Sequence, residues 1–237
     1  TTDATWLNEY AYVVAGRLEV LDQVKWTLEP GTILKFTNDG SVLVRGLLLA
    51  DGEQGFEIVF PSYTDDTFLG DTDGSPGTTG APGDWVGLSF IGSDPGTSIS
   101  QAIIRNTGRP DCFWIDYYTV PSLNRWVDGS YAITVAEASS RLDISNTTIQ
   151  RTSYDPSRCS TQTTLVNGVI RIFGDAQVTI SESRIEDTDN FAIFNYSSEL
   201  VARDNVFERN YRGHILHYPS TDGGVIVDNE FRDSTTG

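Results

Sequence analysis

The sequence predicts an all-β fold in which short strands and turns wind into stacked coils, a parallel β-solenoid. The first observation is composition, because many Val, Ile and Thr residues stand in short runs broken by 22 Gly and 9 Pro. β-Branched residues favour strands, whereas Gly and Pro favour turns. The second observation is an internal repeat with a period of about two dozen positions. A period this short suits three strands and three turns per coil.

One apolar anchor position defines the repeat. The anchors are Ile104, Ile149, Ile185, Phe207 and Phe231, spaced by one period after Ile185 and by longer intervals before it. Three positions after each anchor stands a small hydrogen-bonding residue: Thr107, Thr152, Thr188, Asn210 and Ser234. We expect the anchors to stack in the interior and the second column to line a turn. Segments 34–36, 58–60 and 88–90 recur at one period and then at a slightly longer interval, and they are predicted to be earlier copies of one strand column.

Departures from the period indicate three loop excursions. Residues 105–130 and 151–168 lengthen neighbouring coils, and residues 61–84 form a third, acidic excursion. The first two begin after the same anchor, so we expect them to leave the stack at one corner. Cys112 and Cys159 lie at similar distances past their anchors. This placement predicts a disulfide that joins the two loops, with two buried thiols as the alternative.

Three segments of the N-terminal half resemble a known family. They read LEPGTILKF at 28–36, VLVRGLLLA at 42–50 and PGDWVGL at 82–88. Secreted bacterial right-handed parallel β-helix proteins have similar coils, of the forms IEPGT, GxLxAxG and GDWGGI. The resemblance covers residues 16–107, although Val86 stands where the family often has Gly. It implies the fold and a location outside the cell, and it implies little about activity.

Repeat and resemblance together predict one single-stranded right-handed parallel β-helix of about eight to ten coils with three loop excursions. It spans residues 1–237, and residues 1–15 form an N-terminal strand or first coil. The chain contains no Met and begins at Thr1. We therefore expect a processed piece of a longer chain.

The excursion at 61–84 is a candidate calcium site. Its carboxylates are those of Asp65, Asp66, Asp71, Asp73 and Asp84. Calcium takes about six to eight oxygen ligands, and an Asp-x-Asp-Gly turn provides several of them together. The spacing does not match an EF-hand loop. We expect Ca²⁺ to fix the conformation of this loop; a solvated acidic turn is the alternative.

A second acidic feature follows from the repeat. The position three before the anchor is Asn146, Glu182, Asp204 and Asp228 in four successive coils. Its three carboxylates are expected to stack about 4.8 Å apart. Two carboxylates supply the acid and the base of a glycoside hydrolase. Glu182, Asp204 and Asp228 are therefore the catalytic candidates if the protein is a polysaccharide hydrolase or lyase.

A solvated charge ladder is the favoured interpretation of this column. Arg184 and Arg203 lie near it in register, and the neighbouring column alternates in sign: Asp187, Arg209 and Asp233. Lysine is nearly absent, which disfavours a lyase that acts on acidic polysaccharides. His214 and His217, the only histidines of the chain, are interpreted as surface or turn residues rather than as a base or metal ligands.

Aromatic residues mark two possible contact surfaces. Six belong to the two excursions that carry the cysteines: Phe113, Trp114, Tyr117, Tyr118, Trp126 and Tyr154. They are predicted either to stack on sugar rings or to anchor a protein contact, or else to pack onto the helix as a satellite core. Trp6, Tyr10 and Tyr12 form a candidate assembly strand, with an ordinary first coil as the alternative.

Charge excludes two classes of partner. Against 33 acidic residues stand 16 basic ones, and the net charge of −17 repels nucleic acid and anionic membranes. No run approaches the roughly 18 apolar residues of a membrane span. We predict a non-enzymatic structural or adhesive module outside the cell that contacts a glycan or a cell surface. A filament subunit that associates end to end is the first alternative, and a β-helix polysaccharide hydrolase or lyase is the second.

Overall fold

The computed structural model describes residues 2–109, 131–153, 168–196, 198–218 and 224–234. In these ranges the chain forms 23 strands, which belong to three parallel sheets of eight, eight and seven strands. None of these residues belongs to a helix that is long and apolar enough to cross a membrane.

The chain visits the three sheets in a fixed order. The first sheet contains β1 (Ala4–Trp6), β4 (Lys25–Leu28), β7 (Leu47–Asp51), β10 (Ser98–Ser100), β13 (Arg141–Ser145), β16 (Gln177–Ser181), β19 (Glu199–Arg203) and β22 (Val225–Val227). The second contains β2 (Ala11–Val14), β5 (Ile33–Phe36), β8 (Ile58–Phe60), β11 (Ala102–Arg105), β14 (Thr148–Thr152), β17 (Arg184–Thr188), β20 (Val206–Asn210) and β23 (Glu230–Arg232). The third contains β3 (Arg17–Val20), β6 (Ser41–Val44), β9 (Gly87–Ile91), β12 (Ile133–Ala136), β15 (Gly168–Phe173), β18 (Phe191–Tyr196) and β21 (Gly213–Tyr218).

Each strand pairs with the strand three places along the chain, on both sides except in the first and last coils, so each set of three strands is one coil. The predicted solenoid is confirmed. The anchors pair in sequence from Ile104 to Phe231 along the second sheet. Four of the five are fully buried in the core, while Phe231, in the last coil, is half-exposed. The residues three positions later are also buried, from Thr107 to Asn210, and Ser234 is exposed.

The alignment of the N-terminal half was wrong in two places. Ile33 pairs with Val59, and Phe36 bridges Ser62 rather than stacking on Phe60 as the predicted alignment requires. Segment 88–90 belongs to the third sheet, where it pairs with Val42–Val44. All three segments begin and end with a large apolar residue, and this pattern does not tell one sheet from another.

Left-handed backbone corners connect the first sheet to the second. Asn146, Glu182, Asp204 and Asp228 all adopt φ between 48° and 57°. The residue that follows each of these corners points inward. In the C-terminal coils its side chain forms hydrogen bonds with the backbone of the neighbouring coils. Asn205 Nδ2 donates to the Ile180 carbonyl at 2.9 Å, and its Oδ1 accepts from the Ser183 amide at 3.0 Å. This polar ladder satisfies buried backbone groups that the sheets leave unpaired.

All three excursions leave the stack between a second-sheet strand and the following third-sheet strand. The acidic excursion at 61–84 therefore begins at the same corner of the coil that was predicted for the other two excursions. At its end, Gly87 returns the chain to the third sheet with φ 142°, and a Cβ there would lie 1.9 Å from the Tyr131 carbonyl oxygen. This close approach explains a glycine in the PGDWVGL segment.

Candidate functional site

The acidic excursion folds back against the outer face of the second sheet. Three basic side chains on that face, from β5, β11 and β14, hold it. Lys35 Nζ donates to the Gly70 carbonyl at 2.7 Å and to Thr72 Oγ1 at 3.0 Å. Arg151 donates to the carbonyls of Thr79 and Gly80. The loop is therefore fastened to the solenoid by cations.

The third of these cations, Arg105, forms a buried ion pair with the loop. Arg105 Nε lies 3.0 Å from Asp65 Oδ2, and the Asp65 side chain is fully buried. The guanidinium also lies over the Phe68 ring, 5.6 Å from its centroid. Burial lowers the pKa of Arg105, Asp65 opposes this effect, and nearby Arg151 adds to it. Both charges are removed from water, so each depends on the other.

Three of the five predicted metal ligands lie together. One carboxylate oxygen from each of Asp66, Asp71 and Asp73 lies within 4.8 Å of the other two. Asp71 Oδ1 accepts from the amides of Gly74 and Ser75 at 2.7 and 3.2 Å. Asp66 Oδ2 accepts from two loop amides, while its Oδ1 is buried with no hydrogen-bond partner among the described residues.

The other two predicted ligands bind other partners. Asp65 is paired with Arg105, as described above. Asp84 Oδ2 accepts from Ser62 Oγ at 2.8 Å, Thr64 Oγ1 at 3.0 Å and the Ala81 amide at 2.8 Å. Asp84 therefore closes the base of the loop. The candidate metal centre is reduced to the carboxylates of Asp66, Asp71 and Asp73.

Lys35 is the residue of this site that sequence reasoning missed. Its side chain is 1% exposed. Burial lowers the pKa of Lys35, and the carboxylates of Asp66, Asp65, Asp73 and Asp71 act in the opposite direction. The buried ammonium of Lys35 already neutralises part of the negative charge of the acidic cluster. A calcium ion and Lys35 would therefore compete for the same carboxylates.

The column of catalytic candidates stands on the left-handed corners. The strand pairing places Glu182, Asp204 and Asp228 in successive coils, and all three side chains are exposed. Arg184, which we expected to neutralise them, instead pairs with Glu186 at 2.7 Å and with Glu208 on the outer face of the second sheet. The described residues show no ion pair between Arg203 and this column.

The neighbouring corner column is a charge ladder, as predicted. Arg209 Nε lies 2.6 Å from Asp187 Oδ1, and Arg209 also pairs with Glu186 and Glu208. The hydrogen bond from Arg209 lowers the pKa of Asp187. This network covers the outer face of the second sheet in the C-terminal coils, and being exposed it contributes little stability per pair.

The predicted aromatic corner and the predicted disulfide lie outside the described residues, as do all six aromatic side chains of that corner and both cysteines. A different aromatic surface is present on the outer face of the third sheet. Tyr196 and Tyr218 stand in register on β18 and β21, half-exposed, with ring centroids 5.8 Å apart. Phe194 lies beside them, 6.1 Å from Tyr218. We call these three residues the tyrosine face.

A buried arginine supports the tyrosine face from one coil below. The Arg171 guanidinium lies over the rings of Tyr131, Phe173 and Phe194 at 4.8, 5.1 and 6.0 Å, and Arg171 donates to the Tyr131 hydroxyl at 2.8 Å. Such contacts orient the rings. In the sequence, this surface is indicated only by aromatic residues at outward positions of β15, β18 and β21. The strand register shows that these residues are adjacent.

The candidate assembly strand is part of an ordinary first coil. Trp6 and Tyr12 lie on β1 and β2, in different sheets, and their rings stack 4.3 Å apart. Tyr12 and Trp6 are partly buried against the core, whereas Tyr10 is 58% exposed. A cavity of about 160 Å³ opens inside this coil, lined by Trp6, Leu18, Trp26 and neighbouring residues.

Comparison with known proteins agrees with this architecture. The family model of the right-handed β-helix region matches residues 90–237, which is more than half of the chain. No curated protein and no solved structure matches the chain. The matched part begins where the segments that resemble IEPGT and GDWGGI coils have ended, so the two observations rest on different residues. Three parallel sheets wound in one order, together with this match, show that the chain belongs to the right-handed β-helix family.

Proposed function

We propose that the protein is a non-enzymatic structural and adhesive module of a secreted or surface-displayed bacterial protein. The carrying observation is the uninterrupted stack, in which one apolar core and one polar ladder run through successive coils. Its eight first-sheet strands extend over about 34 Å. Loops and outward side chains can vary on such a rod without disturbing the core, which suits display of a contact surface.

The tyrosine face is the proposed contact surface. Its two half-exposed tyrosines offer flat, amphipathic rings that stack on sugars or bury against a protein, and their hydroxyls can form hydrogen bonds at the rim. The rings stand on adjacent strands of one sheet and are therefore held by the solenoid itself. The partner is a glycan or a cell-surface protein.

Replacing both Tyr196 and Tyr218 by alanine is expected to weaken binding to glycans or cells by about tenfold or more, because buried aromatic anchors dominate contact energies. Binding is measured on a glycan array and on whole cells. Tyr10→Ala removes a more exposed tyrosine from the first coil, far from the tyrosine face, and is the control. If Trp114→Ala abolishes binding and the double variant does not, the contact belongs to the loop instead.

The acidic excursion is proposed to bind Ca²⁺ through Asp66, Asp71 and Asp73. Support comes from the convergence of three carboxylates and from the unpartnered Asp66 Oδ1. The ion would supplement Lys35 as a counter-charge and pin the loop to the second sheet. Backbone carbonyls and water would complete the coordination.

Calcium is expected to raise the thermal midpoint, and a chelator is expected to lower it. At a calcium concentration of roughly 100 times Kd, the free energy of unfolding increases by up to about 3 kcal/mol. Asp71→Asn with Asp73→Asn abolishes the shift, whereas Asp39→Asn, at an exposed turn outside the loop, preserves it. Lys35→Met enlarges the shift because it removes the competing ammonium. Identical melting curves with calcium and with chelator would contradict the proposal.

A second candidate function is a filament subunit that assembles head to tail. In the described chain, the last coil exposes Val225, Ile226 and Phe231, and the first coil contains the cavity beside Trp6. Electron micrographs of native material decide this: long particles support a filament, and short single rods contradict it.

Glu182, Asp204 and Asp228 stand in successive coils, and for this reason a polysaccharide hydrolase or lyase is the competing function. An enzyme releases reducing sugar or an unsaturated uronate from a glycan panel, and Glu182→Gln or Asp204→Asn abolishes that release. A structural module gives no release with any glycan while still binding through the tyrosine face.

A further inference from the structure

Both histidines of the chain point into the last coil rather than to the surface. They lie on β21, and each is partly buried. The His214 ring lies 6.3 Å from the ring of Phe207 and 5.3 Å from that of Phe231. These two phenylalanines are the final members of the anchor column. The interpretation of the histidines as surface or turn residues was therefore wrong.

Each histidine meets the side-chain amide of a buried asparagine through Nδ1. Asn195 Nδ2 lies 2.8 Å from His217 Nδ1, and Asn210 Nδ2 lies 3.3 Å from His214 Nδ1. Both asparagines are fully buried. Asn195 belongs to β18 in the third sheet and Asn210 to β20 in the second sheet, so the same histidine–asparagine contact occurs twice.

Backbone carbonyls fix the orientation of both amides. Asn195 Nδ2 also donates to the Ser198 carbonyl at 2.8 Å. Asn210 Nδ2 donates to the Ile185 carbonyl at 3.0 Å, while its Oδ1 accepts from Thr188 Oγ1 at 2.9 Å. Turning either amide over would set an oxygen against a carbonyl oxygen. The nitrogen therefore faces the imidazole, and Nδ1 is the acceptor.

An acceptor at Nδ1 requires a neutral ring, because both nitrogens of an imidazolium carry protons. A proton on Nδ1 would point at an N–H donor and break the bond to the asparagine. Burial also lowers the pKa of His214 below its ordinary value of 6.5. For His214, the hydrogen bond from Asn210 and the burial both favour the neutral form in the folded coil.

No described carboxylate faces either ring to offset this preference. The groups that do face them are Phe207 and Asn210 from β20, Phe231 from β23 and Asn195 from β18. The charged side chains of the flanking strands, Glu208, Arg209, Glu230 and Arg232, are engaged in ion pairs with one another on the outer face. Arg212 is exposed in the turn before β21.

We propose that His214 makes the coil formed by β21, β22 and β23 sensitive to protons, so that this coil is ordered at neutral pH and released from the preceding coil in mildly acidic surroundings. The sign follows from linkage. Because burial lowers the pKa of His214, the folded coil binds this proton less readily than the unfolded segment. The stability that depends on it is therefore complete above about pH 6.5 and falls as the pH decreases below that value. Release would uncover Phe207 and the strand edges of β18, β19 and β20.

Hydrogen exchange of the full chain tests this directly. Between pH 7.5 and pH 5.0, after correction for the intrinsic exchange rate, protection of β21 to β23 is expected to fall by about tenfold or more. Protection of β5 and β8, many coils away, changes much less. Constant protection of β21 to β23, or an equal loss in every strand, overturns the proposal.

The matched variant is His214→Asn, because asparagine places its carbonyl oxygen where histidine has Nδ1 and does not titrate. Protection of β21 to β23 in this variant is expected to be independent of pH over the same interval. An unchanged pH dependence overturns the proposal. If the variant coil does not order, nitrogen NMR of the unaltered protein decides: protons on Nε2 alone at pH 7.5 support it, and Nδ1–H tautomers at that pH overturn it.

Discussion

Replacing Trp85 by alanine is expected to destabilise the protein by about 3–5 kcal/mol, the cost of deleting a large aromatic side chain from a packed core. Trp85 is fully buried, and its ring stacks on that of Phe36 at 4.1 Å with an angle of 11°. Its Nε1 donates to the Arg105 carbonyl at 2.8 Å. The residue therefore joins the end of the acidic excursion to two different coils. Urea unfolding, followed by circular dichroism, measures the loss.

Trp85→Phe separates packing from hydrogen bonding. It keeps most of the stacked area and leaves the Arg105 carbonyl without its partner, so a loss of about 1–3 kcal/mol is expected. If the alanine variant is less than about 1 kcal/mol below the unaltered protein, the described packing of Trp85 against Phe36 is incorrect.

Replacing Asp65 by alanine is expected to cost about 3–5 kcal/mol, because it leaves the Arg105 guanidinium buried without a counter-charge. Asp65 is fully buried and Arg105 nearly so. The damage extends to the whole excursion, since Arg105 is one of the three cations that fasten it. Proteolysis within 61–84 and urea unfolding report the two effects separately.

The double variant Asp65→Ala with Arg105→Met gives the decisive comparison. Removing both charges avoids the unpaired guanidinium, so most of the lost stability is expected to return. Asp66→Ala, at the next position along the chain and partly exposed, is the matched control and is expected to cost less than Asp65→Ala. A double variant no more stable than Asp65→Ala alone contradicts the assignment of a buried pair.

The sequence predicted the fold wherever the coils are of similar length. From Ile185 to Phe231 the anchors recur with nothing inserted between coils, so period and burial coincide. In the N-terminal half the 61–84 excursion masks the period, and the alternation around Phe36 fits more than one register. Here the strand register is set by contacts with neighbouring coils, and a local sequence pattern holds no information about those contacts.

The candidate site was predictable only as a set of acidic residues. Asp66, Asp71 and Asp73 are close in the chain, so their convergence follows from a short turn. Lys35, Arg105 and Arg151 are dispersed in the sequence, and they share a face only after four coils have stacked. Likewise, the asparagine partners of His214 and His217 lie 4 and 22 residues before them. Solenoid register, rather than any motif, brings these groups together.

The shared corner of the three excursions bears on how such proteins diversify. Between β17 and β18, and between β20 and β21, the same corner is crossed by only two residues each. An insertion there would emerge beside the existing excursions without shifting the core of any coil. The corner is thus a ready grafting point, where a protein engineer or natural variation can add recognition segments in a row along one edge of the molecule.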